Sequence, residues 1–293
     1  MKKILVLGGT RFFGTFLVQA LLEKGFEVTV ATRGLTKDSF GDSVKRVTCD
    51  RFDGDSLKDT FKDTKWDIIY DQICFSAKDA KIAIHAFKDK TDRYIITSSL
   101  SVYDIQQYGE QLVEEDYDPY HENIVFENED FSYQEGKQQA EAVFFQKAPF
   151  PVVAVRIPIV LGEKDYTERL LYYIKRVKYN EGVYLTNPQA EMNFISEQEA
   201  GQFLAWAGTM DFVGPINACS TGAIRLENLM KLIESATNKK VIYAYEPSDS
   251  PYNISDTWTM STSKAHKLGF SFSTLTDWLP DLINKLETGT VSR

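Results

Sequence analysis

The chain has 293 residues, 43% of them hydrophobic and 26% charged, with a formal net charge of −9. That length allows one large domain or two closely joined ones with a substantial core. The acidic balance disfavours non-specific nucleic-acid binding, and no apolar stretch is long enough to span a bilayer.

The first apolar run, residues 4–7, has the length of a strand and is too short for a signal peptide. A cytoplasmic location is therefore expected. Gly8 and Gly9 follow, and Gly14 opens an amphipathic stretch over 12–24 that reads as a helix. Strand, glycine turn and helix make a context that can hold a phosphate. Gly8 lets the chain turn tightly, and Gly14 lets the helix approach the strand. The first helical turn offers unpaired N–H groups and the positive end of its dipole to a pyrophosphate.

Residues 27–31 and 44–48 read as the second and third strands, 55–61 as a helix, 68–70 as a fourth strand, 77–87 as a helix and 94–97 as a fifth strand. Strands alternating with helices imply βαβ units, a parallel sheet and right-handed crossovers. Thr97, Ser98, Ser99 and Ser101 cluster after the fifth strand. Ligands of open parallel sheets bind outside the carboxyl ends of the strands. Ser99 could hydrogen-bond a reacting carbonyl or alcohol there, or simply cap the strand end.

Residues 102–131 are rich in Asp, Glu and Tyr, and no Lys or Arg occurs from Tyr94 through Gly136. So long a connection in a compact domain is expected to be functional. Residues 132–147 read as a helix carrying Tyr133 and Lys137 on one face, one turn apart. A neighbouring ammonium favours the phenolate, which suits Tyr133 to general acid/base work. Residues 151–156 read as a sixth strand.

Beyond Gly162 the pattern loosens. An amphipathic helix over 166–178 carries Arg169, Lys175, Arg176 and Lys178, which could bind a diphosphate or form a solvated face. Strands are expected at 183–186, 216–218 and 241–245, and helices at 198–207, 226–236, 264–268 and 275–286, with a frayed tail over 288–293. Cys49, Cys74 and Cys219 are odd in number and far apart, which argues against disulfides and zinc and for small core residues. His85, His121 and His266 show no ligand spacing, so no metal site is expected; His121, in the acidic loop, could touch a substrate.

In combination, Gly8-Gly9-Thr10-Arg11-Phe12-Phe13-Gly14, the Ser98–Tyr103 segment and Tyr133-Gln134-Glu135-Gly136-Lys137 resemble the extended short-chain dehydrogenase/reductase family, of the NAD-dependent epimerase/dehydratase type. The segments Arg156–Gly162 and Asn193–Ser196 support the resemblance, which covers most of the chain. It implies that Ser99 orients the substrate oxygen and Tyr133 exchanges its proton. Lys137 would bind the nicotinamide ribose and tune Tyr133 while a hydride passes between cofactor and substrate. Gly8, Thr10, Arg11, Phe12, Phe13, Gly14, Thr32, Arg33 and Asp50 would hold the rest of the cofactor, Asp50 by touching adenine unless it merely caps its loop. The helices over 77–87 and 132–147 resemble the family's dimerisation helices, so a homodimer is expected by analogy. Phe144 and Phe145 could serve that contact or the core.

Departures from the family pattern are informative. Its middle glycine falls at Arg11, and the acidic residue that accepts from the ribose 2′-hydroxyl is replaced by Thr32, followed by Arg33. Thr32 cannot repel a 2′-phosphate, and the two arginines can pair with one, which favours NADP over NAD. The Asp-Glu pair of the dehydratases is replaced by Leu100 and Ser101, which disfavours dehydration. Reduction or 4-epimerisation remains, on a sugar nucleotide or small carbonyl substrate. The glycine motif also resembles that of chloroplast stem-loop-binding proteins, so a non-catalytic RNA-binding or cofactor-sensing role is the alternative. The expected architecture is α/β: a Rossmann-type doubly wound parallel sheet over 1–161 with 190–222, and a smaller C-terminal substrate lobe over 162–189 with 223–293. The crevice at the carboxyl ends of the strands should hold cofactor and substrate.

Overall fold

The computed structural model describes residues 1–104, 111–126 and 131–289. Parts of the acidic stretch (105–110 and 127–130) and the end of the tail (290–293) lie outside the described residues. In chain order the main elements are β1 (Lys3–Leu7), α1 (Phe13–Glu23), β2 (Glu27–Thr32), β3 (Lys45–Thr48), α2 (Gly54–Phe61), β4 (Ile68–Asp71), α3 (Ala77–Phe87), β5 (Tyr94–Ser99), α4 (Tyr133–Lys147) and β6 (Val152–Ile157). They continue with β7 (Val160–Leu161), α5 (Arg169–Lys178), β8 (Gly182–Val183), β9 (Glu191–Met192), β10 (Ile195–Ser196), α6 (Glu197–Thr209) and β11 (Gly214–Asn217). The chain closes with β12 (Ile224–Arg225), α7 (Leu226–Thr237), β13 (Ile242–Tyr243), α8 (Ser263–Lys267) and α9 (Leu275–Thr288).

Two compact units emerge. The first comprises Met1–Tyr103, Glu114–Ile157 and Gln198–Ala218. Its seven-stranded sheet has the order β11-β6-β5-β4-β1-β2-β3, and every pairing in it is parallel. The order reverses at β1, which starts one wing through β2 and another through β4, as in Rossmann-type folds. Strands β1, β4, β5 and β6 are buried along almost their whole length, since helices cover both faces. One core lies under α2, α3 and α4, built from Leu57, Phe61, Phe87, Tyr94, Val143 and Phe144 with the strand side chains. Phe144 packs with its ring centre 4.9 Å from that of Tyr94 and is buried in the core, while Phe145 is half-buried against Tyr120.

The second unit comprises Asp104–Val113, Pro158–Glu197 and Cys219–Arg293. Its core gathers Leu170, Tyr173, Ile174 and Val177 of α5, Leu229, Met230 and Ile233 of α7, and Leu279, Leu282 and Ile283 of α9. α5 begins three residues later than its periodicity suggests, because Glu168 takes a left-handed conformation (φ 51°) at its N-cap. The strands expected near 183–186 and 241–245 shrink to the two-residue pair β8 and β13. A cavity of about 770 Å³ in this unit is lined by the 162–168 loop, one face of α5, Leu286 and Gly289.

Candidate functional site

The glycine loop is shaped by contacts that exclude side chains. Gly8 and Gly9 adopt φ of 93° and 87°, where only glycine is at ease. A Cβ on Gly14 would sit 2.8 Å from Gly9 Cα and 2.4 Å from Gln72 Oε1, so α1 starts in direct contact with the turn that precedes it. Phe12, buried at the N-cap, holds φ 50°, and its side chain makes no capping hydrogen bond to α1. Gly8 N–H donates to Ala31 O at 3.0 Å, which ties the loop to β2. Thr10 and Phe13 are half-buried beside it.

Across the loop, Arg11 is exposed and its Nε donates to Thr36 Oγ1 at 3.1 Å. That brings it against the turn after β2, where Thr32 Oγ1 accepts from Gly34 N–H and Arg33 is exposed. Arg11, Thr32 and Arg33 therefore share one end of the sheet. Asp50 follows β3 on the same side, and its Oδ1 accepts from Phe52 N–H at 3.0 Å, the loop-capping role. The site fits a dinucleotide on two observations of the chain itself. The Gly9–Gly14 contact makes a cradle that a side chain would fill, and the nearby Gln72 amide nitrogen is buried with no hydrogen-bond partner among the described residues.

Tyr133 and Lys137 are placed by a capping box. Ser132 Oγ accepts from Glu135 N–H at 3.2 Å, and Ser132 N–H donates to Glu135 Oε2 at 2.8 Å. This fixes Ser132 outside α4 and Tyr133 as its first residue. Gly136 then passes so near the loop after β4 that a Cβ would meet Phe75 O at 2.4 Å. The close approach carries Lys137 inward, to 3% exposure, where Nζ donates to Cys74 O and Thr97 O, each at 2.8 Å. Tyr133 stays 56% exposed. The ammonium lies 5.8 Å from the centre of the Tyr133 ring and 4.6 Å from that of Phe75. Tyr133, Phe75, Phe126 and Phe131 line a cavity of about 570 Å³.

Ser99 ends β5, two residues beyond the carbonyl that holds Lys137. Its hydroxyl is occupied locally: it accepts from Ser101 N–H at 3.1 Å and donates to Ser101 Oγ at 3.1 Å. Strand β5 runs two residues further than its apolar pattern, so Ser98 and Ser99 belong to the strand. Beneath them, Ser98 bonds Glu141, which is paired with Arg156 at 2.7 Å with both side chains fully buried. Tyr103 donates to Asn217 Oδ1 at 2.6 Å and accepts from Arg156 Nη1 at 3.0 Å. Burial pushes the Tyr103 phenol well above its ordinary range, the neighbouring guanidinium opposing the shift, so it stays a neutral strut.

Other expectations resolve plainly. All three cysteines are free and buried, and burial pushes the Cys74 thiol up to about 12. His121 Nδ1 lies 2.6 Å from Asp118 Oδ2 on the surface. On α5 the basic residues are mostly neutralised: Lys175 pairs with Glu168 at 2.8 Å, Arg176 with Glu181 at 3.5 Å and Lys178 with Glu287 at 2.9 Å. The sequence reading overlooked Gln72, Arg51 and Asp71. The available signal was Asp71 and Gln72, two polar residues closing an otherwise apolar run over 68–70.

Comparison with known proteins bears on the whole chain. A model of the NAD dependent epimerase/dehydratase family matches residues 4–209. The chloroplast stem-loop binding protein of 41 kDa b from Arabidopsis thaliana is 34% identical over 115 residues, a match spanning 35% of this chain and 30% of that protein. The UDP-glucose 4-epimerase of Thermotoga maritima, solved with UDP-glucose, superposes with a TM-score of 0.76 at 15% identity, covering 98% of this chain and 97% of that one. The dTDP-glucose 4,6-dehydratase of Bacillus anthracis, solved with NAD, gives 0.77 at 13% identity over 98% and 97% of the two chains. At such identities the likeness establishes the fold.

Proposed function

The chain belongs to the NAD dependent epimerase/dehydratase family, and on that premise we propose that it is an NAD(P)-dependent reductase or 4-epimerase acting on a sugar nucleotide or small carbonyl substrate. One observation carries the reading: an exposed phenol stands one helical turn from a buried ammonium held by the carbonyls of Cys74 and Thr97. A tyrosine that only packed would not stay 56% exposed beside a cavity, and a surface lysine would not bury its charge.

In this reading Tyr133 exchanges the proton of the reacting oxygen, and Lys137 favours the phenolate by its charge and grips the nicotinamide ribose. Ser99 orients the substrate oxygen by turning its hydroxyl away from Ser101. The bound nicotinamide supplies or accepts the hydride. The Gly8–Gly14 loop, with Thr10, Phe12 and Phe13, holds the pyrophosphate at the start of α1. Thr32, Arg11 and Arg33 receive a 2′-phosphate, so NADP is the favoured cofactor and NAD the alternative. Asp50 lies beside the adenine. Leu100 is buried and Ser101 is a neutral hydroxyl, so neither supplies the acid and base that dehydration needs. The aromatic lining around Tyr133 and the neutralised charges of α5 lean towards a small carbonyl compound over a nucleotide diphosphate. The lobe beyond residue 161 would choose the substrate, and α3 and α4 would form a homodimer contact.

The test is native mass spectrometry of the purified protein with identification of released ligands, followed by titration with NADPH and NADH. Bound or titratable dinucleotide supports the proposal; no binding of either by calorimetry overturns it. A second reading, RNA binding, draws on the stem-loop binding relative. A gel shift with structured RNA, weakening steeply with salt, would favour it; the net charge of −9 speaks against it.

A further inference from the structure

We propose that the buried ion pair between Arg51 and Asp71 is a positioning device for Lys137. The proposal rests on the reading of Lys137 as the residue that serves Tyr133 and the cofactor. Arg51 follows β3 and is 3% exposed; Asp71 ends β4 and is fully buried. The two meet at 2.5 Å between Nη2 and Oδ2, with Nε 3.2 Å from the same oxygen.

The pair is wired to the loop around Cys74. Asp71 Oδ1 accepts from Ile73 N–H at 3.2 Å. Arg51 Nη1 donates to Asp79 O at 3.0 Å, and Asp79 Oδ2 accepts from Phe75 N–H at 2.8 Å. The N–H groups on either side of Cys74 are thus held by the carboxylates of Asp71 and Asp79, and Arg51 joins the first carboxylate to the backbone carbonyl of Asp79. Between them the Cys74 carbonyl points at Lys137 Nζ. Tyr94 fills the remaining capacity of Asp71, donating to Oδ2 at 2.8 Å.

Stability alone is a poor reason for such an arrangement. Two charges taken from water lose much of what their attraction returns, and apolar residues of similar volume often serve as well or better. Apolar residues could fill this space, but they could not hold the amide of residue 73 or the carbonyl of Asp79. What the ion pair adds is a fixed direction for one carbonyl, hence a fixed seat for the ammonium. Arg51 also adjoins Asp50, so the loop proposed to meet the adenine and the anchor of Lys137 share one joint.

The test compares the wild type with Arg51→Lys and with the triple variant Arg51→Met/Asp71→Leu/Tyr94→Phe, which removes both charges together with the Tyr94 hydroxyl that bonds Asp71, and releases the Ile73 N–H. Three quantities are read: the melting temperature, the acylation rate of Lys137 in cofactor-free protein by mass spectrometry, and kcat and KM with NADP(H). The triple variant is expected to melt close to the wild type while Lys137 is acylated about tenfold faster, because its seat opens locally. Its kcat should fall about tenfold or more with KM changed little, since misplacing a group by an ångström is felt in the reacting geometry. Arg51→Lys keeps the charge but cannot span both Asp71 and Asp79, and should lie between the two. A folded triple variant with unchanged acylation and unchanged kcat overturns the proposal. Should the triple variant fail to fold, Arg51→Lys alone decides, and wild-type acylation there overturns it. A wild type that turns over nothing with either dinucleotide would sink the enzyme reading instead, and the acylation comparison would still stand.

Discussion

Replacing Gly14 with alanine sets two effects of opposite sign against each other. Gly14 lies in the first turn of α1 without a left-handed φ, so alanine is compatible with its backbone. Helix propensity and the entropy of the unfolded chain then favour alanine by about 0.4–1 kcal/mol. Against this, the new Cβ would lie 2.4 Å from Gln72 Oε1, 2.8 Å from Gly9 Cα and 3.2 Å from Gly9 C. Gln72 Oε1 ends a flexible side chain and can give way. Gly9 cannot: it holds φ 87°, and its own Cβ position is closed by Val6 Cγ1 at 2.7 Å and Val18 Cγ2 at 3.3 Å. Overpacking of this kind costs about 1–3 kcal/mol, so the net effect is destabilisation by roughly 1–2 kcal/mol. For a protein of this size that lowers the melting temperature by several degrees, at about 2–4 °C per kcal/mol. Relief of the clash must push the start of α1 away from the turn, so NADPH affinity should drop about tenfold as the phosphate donors lose their geometry. Thermal unfolding by circular dichroism and calorimetric titration measure both quantities. The double variant Gly14→Ala/Gln72→Ala should recover little, because the backbone contact persists. A Gly14→Ala protein as stable as the wild type, with unchanged affinity, would refute the claim that this glycine exists to let helix and turn touch.

Further predictions concern the other parts of the site. Tyr133→Phe should lower kcat by about 10²–10⁴-fold while leaving dinucleotide affinity within roughly a factor of two; steady-state kinetics beside a binding titration check it, and full turnover would remove Tyr133 as the acid/base. Arg33→Asp should weaken NADPH binding about tenfold and favour NADH, since a carboxylate would then face the 2′-phosphate; equal affinities before and after would reject that pairing. Burial raises the Glu197 carboxyl to about 7, against the opposing pull of the Lys164 and Glu163 N–H groups. A folded-state value above the unfolded one means that the folded protein holds an extra proton in the interval between. Its contribution is therefore most favourable below about 4.5 and is lost as pH rises to about 7. The melting temperature of Glu197→Gln should lack that part of the wild-type decline between pH 5 and 7.5, and parallel curves for the two proteins would contradict it.

Much of the sheet was legible because its strands are short apolar runs punctuated by glycine and polar turns, and those signals are local. The glycine loop was legible for the same reason: a turn of that shape needs glycine at fixed offsets. The start of α4 was legible to within one residue, and the capping box Ser132–Glu135 explains the difference, since Ser132 serves the helix from outside it. The basic stripe on α5 was visible, but its neutralisation by Glu168, Glu181 and Glu287 was not, because Glu287 lies on a distant helix.

By itself, the sequence determined the alternation of strand and helix, the placement of Tyr133 and Lys137 one turn apart on one helix, and the absence of an acidic residue at Thr32. Each of these follows from residue type and spacing along one stretch of chain. Only the tertiary structure decided that Phe144 belongs to the core and that Lys137 is seated on carbonyls 63 and 40 residues away. A hydrogen bond reaches about 3 Å regardless of sequence separation. Partners brought together by a parallel sheet, whose neighbouring strands are joined by long crossovers, therefore leave no local trace in the order of the residues.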